Sequence, residues 1–303
     1  MRPRVVLVTR KTPLEVLLER RGTHDQARFH LRSRGQDIAD YEAAHTQFEA
    51  AFAQVVQQIA ADQRRVRVNR DDLDRFLFAP DDVVVVVGQD GLVPNVAKYL
   101  SGQLVIGVNS NPDRFDGVLC PHRPEEAGAL LEWVEERTDL YRVQERVMGL
   151  VEREDGQRML ALNEFYLGHR SHQSSKYVLR VGGKEERQSS SGVLCSTGTG
   201  ATGWARSVTE QRGIEEVLPS PEQAALAWFV REPFPSVWTG TDLDFGILQE
   251  GEPLTIDSLM GDDGVIFADG IESDRVEFLD GHRATISVAP TRLNLIVRSA
   301  VPD

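Results

Sequence analysis

Short apolar runs separated by charged, periodic stretches organise the first part of the chain. "RVVLVTR" (4–10) reads as a buried strand, and "DDVVVVVG" (81–88) is a continuous β-branched run, the pattern of a central strand covered on both faces. "RRVRVNR" (64–70) and "LVIGVNS" (104–110) supply two further strands. Between them a helix begins at Ile38, with Phe48, Phe52, Val55, Val56 and Ile59 at helical spacing. Residues 13–37 are charged and only weakly helical, and "DDLDRFL" reads as a short helix. A further helix includes "NVAKYL", and "PEEAGALLEWVEER" (124–137) is amphipathic, with Pro124 at its start, where a missing N–H costs nothing. Strands alternating with helices predict a parallel α/β sheet.

From residue 141 the pattern changes. "RVMGLVE", "RMLALNEFYLG", "KYVLRVGG" and "SGVLCS" read as strands without intervening helices, and after 225 come "LAWFVRE", "PLTIDSL", "GVIFADG", "RVEFLDG", "ATISVAP" and "RLNLIVRS". Their glycine and aspartate turns predict a β-rich second domain. The expected division is 1–140 for the α/β domain and 141–303 for the β-rich one.

Composition narrows the function. The 303 residues are 41% hydrophobic and 27% charged, as in an ordinary globular protein. A net charge of −13 argues against nucleic acid or an anionic membrane as partner, but not against a phosphate held by backbone N–H groups and a local arginine. Lysine is confined to Lys11, Lys98, Lys176 and Lys184, and none follows a glycine loop, which argues against a P-loop NTPase. No apolar stretch is long enough for a membrane span, and "VVLV" is too short for a signal peptide's core. Two cysteines, Cys120 and Cys195, lie outside any metal motif, so a reduced, cytoplasmic protein is expected. His169 and His172 lack a third ligand at a suitable spacing, so no metal site is expected.

Four segments carry candidate chemistry. Gly88-Gln89-Asp90-Gly91 leaves the carboxyl end of a parallel strand, where ligands of such sheets bind. Glycine there lets backbone N–H groups approach a phosphate, and Asp90 could act as general base toward a hydroxyl. On the loop alone, an Asp-Gly turn is the simpler reading. In "CSTGTGATGWARS" (195–207), Gly198, Gly200 and Gly203 match G-x-G-x-x-G, but after a run of strands and without a following acidic strand end, which argues against a Rossmann oxidoreductase. Its hydroxyls and glycines, leading to a helix N-terminus, still suit nucleotide phosphates or ribose. Asn163 and Glu164 in "LALNEFYLG" are adjacent, so one of them faces a buried or ligand-facing side; together they offer donors and acceptors to ribose or adenine, a strand-end bulge being an equal alternative. Asn109, Asn111 and Pro112 after the fourth strand read as turn formers.

Taken in order, "VVVVVGQDG", "VIGVNSNPDRFDG", "ALNEFYLG" and "SSSGVLCSTGTGATGWARS" resemble the NAD kinase family, within the superfamily of diacylglycerol and sphingosine kinases. The family pattern is strand-GGDG, then "GVN", "NE" and STPTGSTAY. "WFVREPF" (228–234) and the opening "VVLVTRKTPLEVLLERRG" are similar to the mitochondrial-type branch. The resemblance implies a Rossmann-like α/β domain followed by a β-sandwich-like one. It implies transfer of the γ-phosphoryl of ATP, with Mg²⁺, to the 2′-hydroxyl of the adenosine ribose of NAD, and a homo-oligomer, dimer or tetramer. It places Asp90 as base and Asn163 and Glu164 as the dinucleotide-binding pair, and Thr199, Thr202, Gly203 and Trp204 on the dinucleotide-contacting loop. Gly88, Gln89, Gly91 and Asn109 then belong to the nucleotide site.

Three departures stand out. Gln89 replaces the second glycine of GGDG, Leu92 stands where threonine is common, and Ser191 takes the place of an aspartate found in many bacterial members, where the mitochondrial-type branch tolerates serine. A glycine required for positive φ or for lack of a Cβ makes Gln89 a source of strain or obstruction; otherwise its amide can donate to a phosphate. The alternatives are a kinase of another acceptor (nucleotide, sugar or lipid) and a catalytically impaired nucleotide-binding regulator.

Overall fold

The computed structural model describes residues 2–137, 139–215 and 217–299. The chain forms two compact units, one comprising residues up to Gln144 together with those from Asn294 onward, the other Glu145–Leu293.

In the first unit, strands β1 (Val5–Thr9), β2 (Arg65–Asn69), β3 (Val83–Gly88) and β4 (Leu104–Asn109) form a parallel sheet in the order β2-β1-β3-β4. All six positions of β3 are buried, as its unbroken valine run requires. Val83, Val85 and Val87 share one face with Val5, Leu7, Ile106 and Val108. Helices α3 (Ile38–Gln57) and α5 (Ala127–Glu136) cover that face through Phe48, Val55, Leu130, Leu131 and Trp133. The weakly helical stretch resolves into α1 (Pro13–Arg21) and α2 (His24–Arg32). Thr12 and Thr23 cap them, and Gly22 at φ 80° separates them. Leu14, Ala27 and Leu31 seat both helices against Ile38. Helix α4 (Leu92–Ala97) starts directly after the Gly88–Gly91 loop.

The second unit is two antiparallel sheets around one core. Its strands are β5 (Tyr141–Arg153, entering from the first unit), β6 (Arg158–Ala161), β7 (Glu164–His169), β8 (Ser175–Val181), β9 (Lys184–Ser190) and β10 (Val193–Ser196). After helix α6 (Trp204–Arg212) come β11 (Ala225–Val230), β12 (Phe245–Gln249), β13 (Leu254–Ser258), β14 (Gly264–Ala268), β15 (Val276–Glu277) and β16 (Arg283–Arg298). One sheet runs β12-β11-β10-β7-β14-β15; in the other, β16, β13, β8 and β9 are neighbours, and β5 pairs with β16 and β6. Phe165, Leu167, Val193, Cys195 and Trp228 from the first sheet meet Tyr177, Leu179, Ile256 and Ile286 from the second. On the outer face of the first sheet, Ala205 and Val208 of α6 pack on Leu194, Ala227 and Phe229.

Three sequence expectations change. "RMLALNEFYLG" is two strands broken at Leu162–Asn163, where the Asp269 carboxylate accepts both backbone N–H groups. "ATISVAP" and "RLNLIVRS" form one strand, β16, which runs through Pro290. The sequence reading also omits β9 and β12 (Phe245–Gln249). Each is the last strand of its sheet, where "KEERQSS" can keep its charges in water.

Candidate functional site

In the first unit the Gly88–Gly91 loop leaves β3 beside the end of β4. The Gly88 carbonyl accepts the N–H of Ser110 at 3.1 Å, and the carbonyls of Gln89 and Asp90 accept the N–H groups of Leu92 and Val93 as α4 begins. No residue from 88 to 91 has a positive φ. Gln89 therefore sits without the backbone strain that its replacement of a glycine leads one to expect. Its side-chain oxygen accepts a hydrogen bond from Arg10 at 2.8 Å.

The Asp90 carboxylate is a tether. One oxygen accepts the N–H of Val118 at 2.8 Å, and the other accepts those of Leu119 and Cys120, both at 2.9 Å. Three of a carboxylate's about four lone-pair positions are thus engaged, leaving room for one further donor. Burial, assisted by the Asp90 charge, pushes the Cys120 thiol up, so it stays protonated and unreactive. Asn109 is buried and organises the next turn: its amide donates to the Phe115 carbonyl at 2.8 Å and its oxygen accepts the N–H of Asn111 at 3.0 Å. Its side chain is therefore committed to loop geometry.

In the second unit two of the motifs meet. The Asn163 carbonyl accepts the N–H of Thr197 at 2.8 Å, and the Thr197 hydroxyl donates to the Leu162 carbonyl while accepting from Thr199 and Gly200 N–H groups. A Cβ on Gly200 would lie 2.3 Å from the Asn163 carbonyl oxygen, and one on Gly198 would lie 2.0 Å from that of Ser220. These two glycines exist for close approach, but to the protein's own backbone. Thr199 is buried, with its hydroxyl 3.4 Å from the Arg146 guanidinium; Thr202 and Gly203 are exposed.

Glu164 opens β7. Burial first, then the neighbouring Asp269 carboxylate, raise its pKa to about 7. Tyr166 lies two residues along the same face of the strand. Its ring stacks on Trp204 at 6.0 Å between centroids, and the Arg231 guanidinium lies 5.0 Å from the Trp204 ring. Together with Phe267 and Arg275 these side chains line a cavity of about 680 Å³. Asp269, Arg10, Arg146 and Arg231 escape sequence reasoning. Only Asp269 carries a local signal, an Asp-Gly turn pair, and nothing in it tells that its carboxylate reaches Leu162 and Asn163. Among the described residues no group of three or more His, Cys, Asp or Glu is placed to hold a metal ion.

Solved structures share this architecture. An NAD kinase from Archaeoglobus fulgidus, in complex with ATP, superposes with a TM-score of 0.60 at 20% identity, covering 96% of this chain and 92% of that one. A yeast NADH kinase complexed with NADH gives 0.63 at 14% identity, covering 99% and 84%. The chain has the fold of the NAD kinase family. In sequence, rat (Rattus norvegicus) mitochondrial NAD kinase 2 is 29% identical over 197 residues, half of this chain and 46% of the rat protein. The chain thus spans less than half the length of that relative. No family model matches it. Against the NAD kinase pattern, the Gln89 departure is accommodated by Arg10. Ser191 contributes through its backbone, its carbonyl accepting the Tyr166 hydroxyl at 3.0 Å.

Proposed function

We propose that this protein phosphorylates the 2′-hydroxyl of the adenosine ribose of NAD, with ATP as donor, giving NADP. The observation that carries the reading is the junction of the Asn163–Glu164 pair with the Gly–Thr loop through the Thr197 N–H. That bond sets a carboxyl with a pKa near neutrality beside a hydroxyl-rich loop at the start of α6, a place suited to ribose and phosphate. The NAD and NADH kinases of the same fold, and the rat NAD kinase, support it.

In this reading Glu164 and Asn163 hold the ribose hydroxyls, and the cavity beside Trp204 and Tyr166 takes an aromatic ring of the dinucleotide. On the first unit, Asp90 keeps one lone pair for a hydroxyl donor, as a general base requires. Phosphoryl transfer of this kind depends on positioning and charge neutralisation more than on covalent catalysis. Mg²⁺ fits as a counter-ion carried by the donor's phosphates. A homo-oligomer and a cytoplasmic location complete the proposal; the two cysteines are free and buried, and among the described residues no helix is long and apolar enough to cross a membrane. The absence of a positive φ at Gln89 removes backbone strain as a motive for the impaired-regulator alternative.

The test is NADP formation by the purified protein with NAD, Mg²⁺ and ATP, beside Asp90→Asn. Activity in the parent and a fall of about 100-fold or more in the variant are expected for loss of a general base. An asparagine offers one oxygen to three N–H donors, so the variant's melting temperature is measured as well. A folded variant with parental activity removes Asp90 from the chemistry, and a parent inert with ATP and NAD removes the assignment.

A further inference from the structure

We propose that Arg10 and Gln89 form a seat for a phosphoanhydride chain, with Arg10 gripping the phosphates and Gln89 positioning its guanidinium. The inference deepens the donor side of the proposed kinase reaction and rests on that reading only for the identity of the donor.

Parallel pairing of β1 with β3 sets Val8 opposite Val86, so the residues just past both strands, Arg10 and Gln89, emerge side by side. The Gln89 oxygen takes one of the five N–H donors of Arg10. Among the described residues no carboxylate pairs with Arg10, although it is partly buried. Burial, then the nearby Arg70 charge, lower its pKa. A half-buried cation facing another cation is unfavourable until an anion joins it. The Nε2 amide of Gln89 makes no hydrogen bond among the described residues, so it can donate to the same anion.

Both side chains line a cavity of about 250 Å³ with Lys11, Arg114, Ser110 and Asn111, and no lining residue is a carboxylate. Lys11 is already paired with Glu19, which leaves Arg10 and Arg114 as the principal charges. The position, at the carboxyl ends of parallel strands, is where such sheets bind anions. The volume falls below the roughly 300–1,000 Å³ of sites for drug-sized ligands. It suits a few linked phosphates more than a whole nucleoside triphosphate. In a chain of net charge −13, this local excess of cations selects for an anion.

The experiment is calorimetric titration of the full chain with sodium tripolyphosphate, without NAD, for the parent, Arg10→Gln and Gln89→Glu. Melting temperatures and the KM and kcat for ATP and for tripolyphosphate as donors are measured in parallel. Arg10→Gln should weaken tripolyphosphate about 10- to 100-fold, the worth of a charged hydrogen bond. Gln89→Glu is the decisive variant. Its carboxylate still accepts from Arg10, so the melting temperature holds, but its charge opposes phosphate, and affinity should fall about tenfold or more. A merely structural Gln89 would be replaced by glutamate without loss of anion binding. KM for both donors should rise together while kcat changes less. No binding by the parent, unchanged binding in Gln89→Glu, or a loss confined to ATP would each overturn the seat. The expected binding pattern without NADP formation in any protein would uphold the seat and sink the kinase assignment.

Discussion

At the residue scale, Glu164 has the property most open to measurement. Its folded pKa of about 7 lies above the ordinary carboxyl value of 4.5. The folded state therefore binds the proton more tightly than the unfolded state does, and stability is fully present below pH 4.5 and lost as pH rises toward 7. Glu164→Gln should remove this dependence. Its melting temperature should match the parent's near pH 4.5 and exceed it at pH 8, by a stability difference on the order of 3 kcal/mol. Equal melting curves at pH 8 would show that Glu164 is not buried against Asp269. Glu164 and Asp90 are both legible as candidates because each sits in a short motif at a strand terminus. Their partners are not. Asp269 and the 118–120 backbone lie far along the chain, and no local pattern records which N–H a carboxylate will meet.

At the scale of elements, the Gly–Thr loop is fixed by contacts that admit no side chain. Gly200→Ala would drive a Cβ into the Asn163 carbonyl oxygen, 2.3 Å away, and should cost about 1–3 kcal/mol in denaturant unfolding. Gly203→Ala meets nothing closer than 3.5 Å and should cost less. A similar stability for the two variants would refute the packing explanation of the glycines. The cap of α1 offers a second check. The Thr12 hydroxyl accepts the Glu15 N–H, and Glu15 accepts the Thr12 N–H at 2.7 Å. Thr12→Ala should cost about 1 kcal/mol, read from the same unfolding midpoints. The elements best read from sequence were those with strong apolar periodicity, α3 and β3 above all. Strand β9 escapes such a reading because a terminal strand of a sheet tolerates the polarity that a strand pattern excludes.

At the scale of the whole molecule, the α/β-then-β order was legible, since the change from alternating to strand-only patterning is a property of the sequence itself. The return of the chain to its first unit was not, because "RLNLIVRS" reads the same whichever sheet receives it. Asn294 and Leu295 pair with Leu104 and Val105 of β4. Ile296 is fully buried in the core beneath β3, and its carbonyl faces the buried His122 ring at 2.8 Å. Truncation after Leu293 should therefore damage the first unit, although it removes none of the Rossmann-like alternation. The expected result is loss of cooperative thermal unfolding in an isolated 1–144 fragment; a sharp native-like transition would show that the returning segment is dispensable.

That returning segment also sets a timetable. On the ribosome, Gln144 is made about 150 residues before Asn294, an interval of roughly 8–30 s at ~5–20 residues per second. Throughout it the Leu104–Val105 end of β4 lacks its β16 partner, the kind of bare margin that recruits strands from neighbouring nascent chains. The first half to be synthesised is thus among the last to be finished, and the yield of soluble protein should respond to translation speed and chaperone supply more than its native stability alone would indicate.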